Sequence, residues 1–177
     1  MKELDVSAVW RLLRPEVLAW AVAEHEGKRS ICPVGWTMRT SMTPPMMAVS
    51  VAPSRFTHGL IEGAGAFVLA YPGRELAQAT AYCGSHSGRD VDKFGEAGVT
   101  ARPGRRVAAP VIAECVANLE CRVVDRFTTG DHSIFVGEVV AAWGREDPGA
   151  LLCLVDESAG YETVLKDERF RFGVVRG

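Results

Sequence analysis

The sequence predicts a mainly β protein, a closed or nearly closed antiparallel barrel with short helices at its periphery. Apolar and polar residues alternate over residues 117–123, the period of two that is typical of a strand. The turn sequence TTGD follows at residues 128–131, and the β-branched and aromatic stretch SIFVGEVVAAW returns over residues 133–143. Short strands joined by tight turns favour this barrel over a doubly wound parallel sheet.

The chain begins with a predicted hairpin. VLAWAVA after Pro15 predicts the first strand, and residues 30–36 predict the second. The sequence HEGK between them is a turn in which Gly27 supplies the positive φ angle.

Two prolines decide where the third strand starts. Pro44 and Pro45 lack backbone donors and force extended geometry on the residues before them, so we expect this strand at residues 46–51. Residues 37–43 are then expected to form a loop rich in backbone donors.

The middle of the chain predicts short helices around one strand. Thr57 can cap a helix that runs to Gly63 and ends at the glycines 63 and 65. AFVLAY at residues 66–71 is a strand, and a helix is expected from Glu75 to about Tyr82. GSHSGRD at residues 84–90 is a polar loop, followed by one helical turn that ends at Gly98.

The alternation at residues 117–123 indicates a sheet with one face in water. Its apolar members are Ala117, Leu119, Cys121 and Val123, and its polar members are Asn118, Glu120 and Arg122.

Composition predicts one domain over residues 1–177 with a small ligand. The 177 residues are 47% hydrophobic, enough for a self-sufficient core. Twenty basic and 22 acidic side chains give a net charge of −2 without a run of like charges, which argues against nucleic acid or an anionic membrane as partner. The apolar runs fall short of the roughly 20 residues of a membrane span, and the N-terminus lacks signal-peptide order, so a cytoplasmic location is expected.

Several motifs that resemble catalytic signatures fail on inspection. GAGAFV at residues 63–68 precedes a strand and has Val68 at the third glycine position, and GSHSG places His86 where a hydrolase needs serine. Cys83 and His86 lack the further ligands that zinc requires, so no metal site is predicted. The five scattered cysteines indicate reduced thiols, and Cys32 as a nucleophile would need a basic partner.

The stretch TMRTSMTPPMMAVSVAPSRFTH at residues 37–58 allows two interpretations. Arg55, Thr57 and His58 stand where a helix begins, a position at which free N–H groups and a forked guanidinium can hold a phosphate. Equally, Arg55 can be solvated while Thr57 only caps the helix. Trp36, Met38 and the loop donors can lie against a flat heteroaromatic ring, or the large side chains can tuck into the core.

Four segments in order resemble one known family. CPVGWTMRTSMTPPMMAVSVAPSRFTHGLI, FVLAYP, GSHSGRDVDKF and GDHSIFVGEVV are similar to the flavin reductase-like, FMN-binding split-barrel proteins, and in particular to flavoredoxin-type members. The resemblance covers residues 14–143. It implies a six-stranded antiparallel split β-barrel and a homodimer with FMN near the interface. Ser30 departs from the pattern, since many relatives have Asn there.

The resemblance also implies roles for particular residues. Contacts to the isoalloxazine ring and ribityl chain are implied for Trp36, Thr37, Met38, Arg39, Thr40, Ser41, Ser50, Val51 and Ala52. Contacts to the phosphate are implied for Arg55, Thr57, His58, Ser87, Gly88 and Lys93. His132 is implied at the nicotinamide or substrate side, with a solvent-exposed turn histidine as the alternative.

Two activities are compatible with this resemblance. One is an NAD(P)H-dependent reductase that passes hydride to flavin N5, acting on flavin or in a ferric-type reaction, with a monooxygenase or another redox protein as partner. The other is an FMN electron carrier without NAD(P)H turnover. Because the cofactors perform hydride transfer, neither activity needs an acid–base or nucleophile constellation in the protein.

Overall fold

A seven-stranded antiparallel sheet forms the centre of the computed structural model, which describes residues 3–6, 9–147, 149–156 and 161–175. The strand order is β3-β2-β6-β9-β10-β5-β4. The strands of this sheet are β2 (Ala19–His25), β3 (Lys28–Val34), β4 (Thr37–Met42), β5 (Pro45–Val51), β6 (Ala66–Tyr71), β9 (Ala117–Thr129) and β10 (His132–Gly144).

The predicted six-stranded closed or nearly closed barrel is wrong in strand number and in closure. Within the described residues, β3 and β4 are the two edges of the sheet and do not pair with each other. The additional strand is β4, which pairs with β5 from Thr37 opposite Val49 to Met42 opposite Pro45. The segment expected to be a loop is therefore an edge strand, where polar and small side chains are tolerated because only one neighbour is paired.

Apolar residues of the central strands fill two cores, one on each face of the sheet. Trp20 and Val22 of β2 lie in one cluster, whereas Ala21 and Ala23 lie in the other. Strand β6 divides in the same way, with Val68 and Ala70 on one side and Phe67 and Leu69 on the other. Both faces are covered, which explains the uninterrupted apolar sequences of these strands.

The helices are short and lie outside the sheet. They are α1 (Val9–Leu12), α2 (Phe56–Ala64), α3 (Ala77–Ser85) and α4 (Lys93–Glu96), with a 3-10 turn at Arg74–Leu76. Helix α2 begins after Arg55, whose side chain makes no capping bond, so the prediction that Thr57 caps it is wrong. Its end at Gly65, with φ 60°, confirms the predicted glycine termination.

Both ends of the described chain contribute to a second, four-stranded sheet. Its order is β1-β11-β13-β12, from β1 (Glu16–Val17), β11 (Cys153–Leu154), β12 (Tyr161–Lys166) and β13 (Arg171–Val175). Leu152, Leu165 and Phe172 pack against Ala77 and Ala81 of α3. A third, two-stranded sheet joins β7 (Ala101–Arg102) to β8 (Val111–Ile112).

The expected wet face of β9 is partly a buried polar face. Asn118 exchanges two hydrogen bonds with the backbone of Ile112, and Glu120 is fully buried. The Glu120 carboxylate accepts hydrogen bonds from the backbone N–H groups of residues 105–107 and from the indole of Trp143. The segment between β7 and β8 thus folds over this face, a long-range contact that strand periodicity does not reveal.

No helix among the described residues is long and apolar enough to cross a membrane.

Candidate functional site

A cavity of about 410 Å³ lies between β3, the start of α2, the end of α3 and the second sheet, and we call it the large cavity to distinguish it from two smaller neighbours. A separate cavity of about 670 Å³ lies along residues 27–29 and 88–92. Four cationic side chains line the large cavity: Arg55, Arg89, Lys93 and Arg169. None of its lining residues within the described part of the chain is Asp or Glu. Cations without carboxylates make this cavity suited to an anion.

The cations differ in how free they are to meet a ligand. Within the described residues, Arg55 makes no side-chain hydrogen bond or ion pair and is exposed. Arg89 donates to the Ser54 carbonyl at 3.2 Å and lies over the Phe56 ring, with 5.4 Å between its guanidinium carbon and the ring centroid. Arg55 is therefore the best placed of these two to fork two phosphate oxygens.

Lys93 is buried in the wall of the large cavity. It is 6% exposed, and its Nζ donates to the carbonyls of Ile31 at 2.7 Å and Cys83 at 2.6 Å. Burial lowers the pKa of its ammonium, and the charge of Arg55 lowers it further, against the opposing effect of the two nearby thiols. The Lys93 side chain joins β3 to α3, so most of its donor capacity is used within the protein.

Ser30 and Gly88 form a cradle in the same cavity. The Ser30 hydroxyl is buried and finds no hydrogen-bond partner among the described residues, which is costly unless a ligand supplies one. A Cβ built at Gly88 would clash with this hydroxyl and would lie 3.1 Å from Phe56 Cδ1. The unpaired hydroxyl can bond to a polar ligand group such as a phosphate oxygen, and Gly88 leaves the space for that group.

A small cavity adjoins the large one, and an outer cavity adjoins the small one. The small cavity, of about 180 Å³, shares Arg55 and Cys32 with it and is also lined by Ser50, Val51 and Ala52. The outer cavity, of about 350 Å³, lies on the outer side of β4, β5 and β10. Trp36, Ser50 and His132 line both of these cavities.

His132 is held in place at this rim. Its Nδ1 lies 2.7 Å from the Asp131 carboxylate, and its ring centroid is 4.9 Å from that of Trp36. Trp36 in turn lies 5.8 Å from Trp10 of α1, measured between ring centroids. The hydrogen bond and charge of His132 lower the pKa of Asp131. With Nδ1 engaged, Nε2 is the ring nitrogen left to meet a ligand.

The structure brings most of the predicted site residues together. The large cavity receives Arg55, Thr57, Ser87, Gly88 and Lys93. The small and outer cavities receive Trp36, Thr37, Met38, Ser50, Val51, Ala52 and His132. Arg39, Thr40, Ser41 and His58 line none of these three cavities.

His58 lies behind the wall and not on it. It is 7% exposed, its Nε2 is 2.9 Å from the Ser133 hydroxyl, and its ring meets Phe135 edge-on at 5.0 Å. Burial lowers the pKa of His58, and the charge of Arg126 adds to this effect. A neutral, buried imidazole ties α2 to β10 and makes a poor phosphate ligand.

Sequence reasoning missed two cavity cations. Arg89 directly follows the GSHSG sequence, and a basic side chain next to a glycine could have indicated an anion site there. Arg169 comes from the C-terminal sheet, beyond the segments that resemble the family, and no local pattern marks it.

The cysteines and His86 are described by burial and hydrogen bonding. Within the described residues, no group of three or more His, Cys, Asp or Glu side chains could hold a metal ion. His86 hydrogen-bonds the Tyr82 carbonyl and stacks on the Tyr82 ring. Burial raises the pKa of the Cys32 thiol despite the opposing charges of Lys93 and Arg55, so a thiolate is disfavoured there.

The fold and the site define a class: β proteins with a carboxylate-free cationic cavity beside an aromatic rim, suited to an anionic small molecule. A family model described as the flavin reductase like domain matches residues 13–164. The chain belongs to the flavin reductase-like family.

The chain is also similar to curated proteins. An uncharacterized protein of Aeropyrum pernix is 34% identical over 148 residues, which are 83% of this chain and 56% of that protein. An NADH-dependent FAD reductase of Streptomyces globisporus is 31% identical over 103 residues, 58% of this chain and 56% of that protein. The chain thus spans little more than half the length of these two relatives.

Solved structures share the fold over nearly the whole chain. A flavoredoxin from Methanosarcina acetivorans has a TM-score of 0.83 and 28% identity, covering 100% of this chain and 93% of its own. An FMN-binding protein from Thermus thermophilus, with bound p-hydroxybenzaldehyde, has a TM-score of 0.79 and 28% identity, covering 99% and 94%.

Proposed function

We propose that the protein is an FMN-dependent oxidoreductase that takes electrons from NADH or NADPH, acting as a flavin reductase or in a ferric-type reaction. One observation carries this proposal: a cavity lined by cations and no carboxylates among its described residues meets an aromatic rim through Arg55. A ligand with a phosphate at one end and a flat ring at the other fits this order. The name of the Streptomyces relative supports both a nicotinamide donor and reductase activity.

The phosphate end of FMN is assigned to the large cavity. Arg55 would fork two oxygens, and Thr57, Ser87 and the orphan hydroxyl of Ser30 would supply neutral donors. Lys93 would add charge from the wall while it keeps β3 and α3 together. Gly88 leaves the space in which the phosphate can approach the backbone.

The ring end is assigned to the rim where β3, β4 and β5 meet. When bound, FMN supplies the hydride-accepting N5 position, which no side chain can offer. Trp36 and residues 50–52 would orient the ring and exclude water from one face. His132, fixed by Asp131 and Trp36, would position a nicotinamide or acceptor through Nε2.

An FMN electron carrier without NAD(P)H turnover is the second candidate. The Methanosarcina flavoredoxin, with its TM-score of 0.83 over the full chain, favours this alternative. Both candidates use the same cavity, so they differ in whether a nicotinamide can reach the rim.

A homodimer is part of the proposal. Strands β4, β5, β10 and β9 present an outward face with apolar side chains, among them Met38, Phe127 and Ile134, and the outer cavity opens on it. Met38 is 62% exposed and Phe127 is 46% exposed. An exposed apolar patch of this kind is unusual on a monomeric protein. A second copy on this face would bring FMN near the interface, and a monooxygenase or another redox protein would then receive the electrons.

The visible absorption spectrum of the purified protein tests the function. With FMN added, we expect perturbed flavin bands and, with FMN at a hundredfold excess over its dissociation constant, an increase of about 2.7 kcal/mol in the free energy of unfolding. Addition of NADH or NADPH should then bleach the flavin repeatedly as air reoxidises it. Boiled protein with the same FMN is the control for free flavin chemistry.

Three outcomes separate the candidates. Steady NAD(P)H oxidation supports the reductase. A yellow protein that dithionite reduces but NAD(P)H does not would select the electron carrier. A colourless protein whose thermal unfolding FMN leaves unchanged would contradict both.

A further inference from the structure

The C-terminal hairpin of β12 and β13 forms part of the wall of the large cavity. Its turn, residues 167–170, brings Arg169 and Phe170 to the same cavity as Arg55 and Gly88. Phe170 Cζ lies 3.1 Å from the position that a Cβ would occupy at Gly84, at the end of α3. The hairpin therefore touches the segment that carries Ser87 and Gly88.

The turn holds Arg169 in a defined place. The Asp167 carboxylate accepts hydrogen bonds from the backbone N–H groups of Arg169 at 2.8 Å and Phe170 at 2.6 Å. The Asp167 N–H donates to the Phe170 carbonyl at 2.9 Å. Phe170 stacks on the buried Phe172 with 5.4 Å between ring centroids, which anchors the turn to the core of the second sheet.

The guanidinium of Arg169 is available to a ligand. Its carbon lies 5.4 Å from the centroid of the Phe170 ring, and within the described residues it pairs with no carboxylate. Arg55 lines the same cavity and, within the described residues, also pairs with no carboxylate. Two unpaired guanidinium groups around one volume repel each other unless an anion lies between them.

A second observation in the cavity points to the same ligand chemistry. The buried Ser30 hydroxyl has no hydrogen-bond partner in the part of the chain that the structure describes, and a polar group of a ligand would satisfy it.

We propose that Arg169 is a phosphate-binding residue, so that the C-terminal hairpin completes the ligand site from a part of the chain outside the segments that resemble the family. This inference rests on the proposed function, because it takes the phosphate monoester of FMN as the anion. Arg169 would then act with Arg55 as a clamp with one guanidinium on each side of the phosphate.

Binding titrations of Arg169→Gln with FMN and with riboflavin test the clamp. Flavin fluorescence quenching gives both dissociation constants without any turnover. We expect Arg169→Gln to weaken FMN binding by about tenfold, the low end for a hydrogen bond to a charged group, and to leave riboflavin binding unchanged. Arg169→Lys should recover part of the loss, because it keeps the charge but not the fork.

Glu168→Gln is the matched control, since it alters the neighbouring exposed residue of the same turn without removing the cation. It should leave FMN affinity at or above that of the wild type. An equal loss of FMN and riboflavin in Arg169→Gln would overturn the inference, because the hairpin would then only shape the wall. So would unchanged FMN affinity in Arg169→Gln.

The wild-type titration keeps this inference separate from the proposed function. If the wild type prefers FMN to riboflavin while Arg169→Gln behaves like the wild type, only the role of Arg169 fails. If the wild type binds neither flavin, the proposed function fails first, and the clamp with it.

Discussion

Arg55 is the residue on which the site depends most. Its side chain lines both the large and the small cavity, and within the described residues it has no competing partner. A guanidinium at this position borders both the space proposed for the phosphate and the space proposed for the ring. Lys93, for which the family resemblance implies the same role, donates hydrogen bonds to the carbonyls of Ile31 and Cys83.

Replacement of Arg55 should separate the two ends of the ligand. We expect Arg55→Gln to weaken FMN binding by about tenfold or more, since it removes a charge-assisted hydrogen bond, and to weaken riboflavin binding much less. Calorimetric titration with both flavins measures this difference. Arg106→Gln, at an exposed position that lines none of the three cavities, is the control for a lost positive charge. Equal losses for FMN and riboflavin would remove Arg55 from the phosphate site.

Single residues also show why a site is only partly readable from sequence. Arg55, Thr57 and His58 are neighbours in the chain, yet the helical turn that begins at Phe56 sends His58 inward to Ser133. Of these three neighbours in the sequence, Arg55 and Thr57 line the large cavity and His58 does not. Arg169 could not be predicted, because only tertiary packing brings the C-terminal hairpin to the cavity.

At the scale of elements, strand β9 carries a buried carboxylate that holds the segment between β7 and β8. Glu120 accepts three backbone hydrogen bonds, at 2.9, 2.6 and 3.0 Å, and one from the Trp143 indole at 2.7 Å. Burial by itself would raise the pKa of Glu120, but these donors together outweigh it and lower the pKa. The carboxylate is thus more stable as an anion in the folded protein than in the unfolded chain.

This lowered pKa makes a prediction about pH. A carboxylate with a depressed folded pKa stabilises the protein above its unfolded pKa of about 4.3, and that stability is lost as the pH falls through the folded value. Glu120→Gln should lower the free energy of unfolding by about 2 kcal/mol at neutral pH, because an amide presents a donor to N–H groups. The difference from the wild type should shrink below about pH 4.

Urea denaturation at neutral and acidic pH measures this effect. Glu114→Gln is the comparison, since the Glu114 carboxylate also accepts hydrogen bonds, from Thr100, but is less buried than that of Glu120. Its cost should stay below about 1 kcal/mol. A Glu120→Gln deficit that is constant across pH would contradict the assignment to ionisation.

Elements with strong local signals were predicted well. AFVLAY was predicted as a strand over the residues that form β6, and the hairpin of β9 and β10 was predicted around the turn that the structure confirms. Strand β4 was missed because its two apolar residues, Met38 and Met42, are exposed among Thr, Ser and Arg, and its strand character comes from pairing with β5. The second sheet was missed because its strands come from both ends of the chain.

At the scale of the whole molecule, the outward face of the central sheet predicts self-association. Glutamate in place of Met38 or Phe127 would put an unpaired carboxylate into the proposed apolar interface. Removing this charge from water is unfavourable, so the dimer should dissociate. Light scattering after size-exclusion chromatography should show a dimer for the wild type and monomers for Met38→Glu and Phe127→Glu. Val175→Glu, at a 59% exposed position on the second sheet, should remain dimeric. A monomeric wild type would refute the interface.

Because Arg55 lines two adjoining cavities, the binding of a phosphate in one cavity should affect the binding of a ring in the other. Inorganic phosphate and lumichrome, offered as separate fragments, would fill adjoining compartments that border one guanidinium. Occupation of one compartment by an anion neutralises the field that the other experiences, so the two fragments would not bind independently. The affinity for one fragment would accordingly change when the other is bound, and Arg55 would be the source of this coupling.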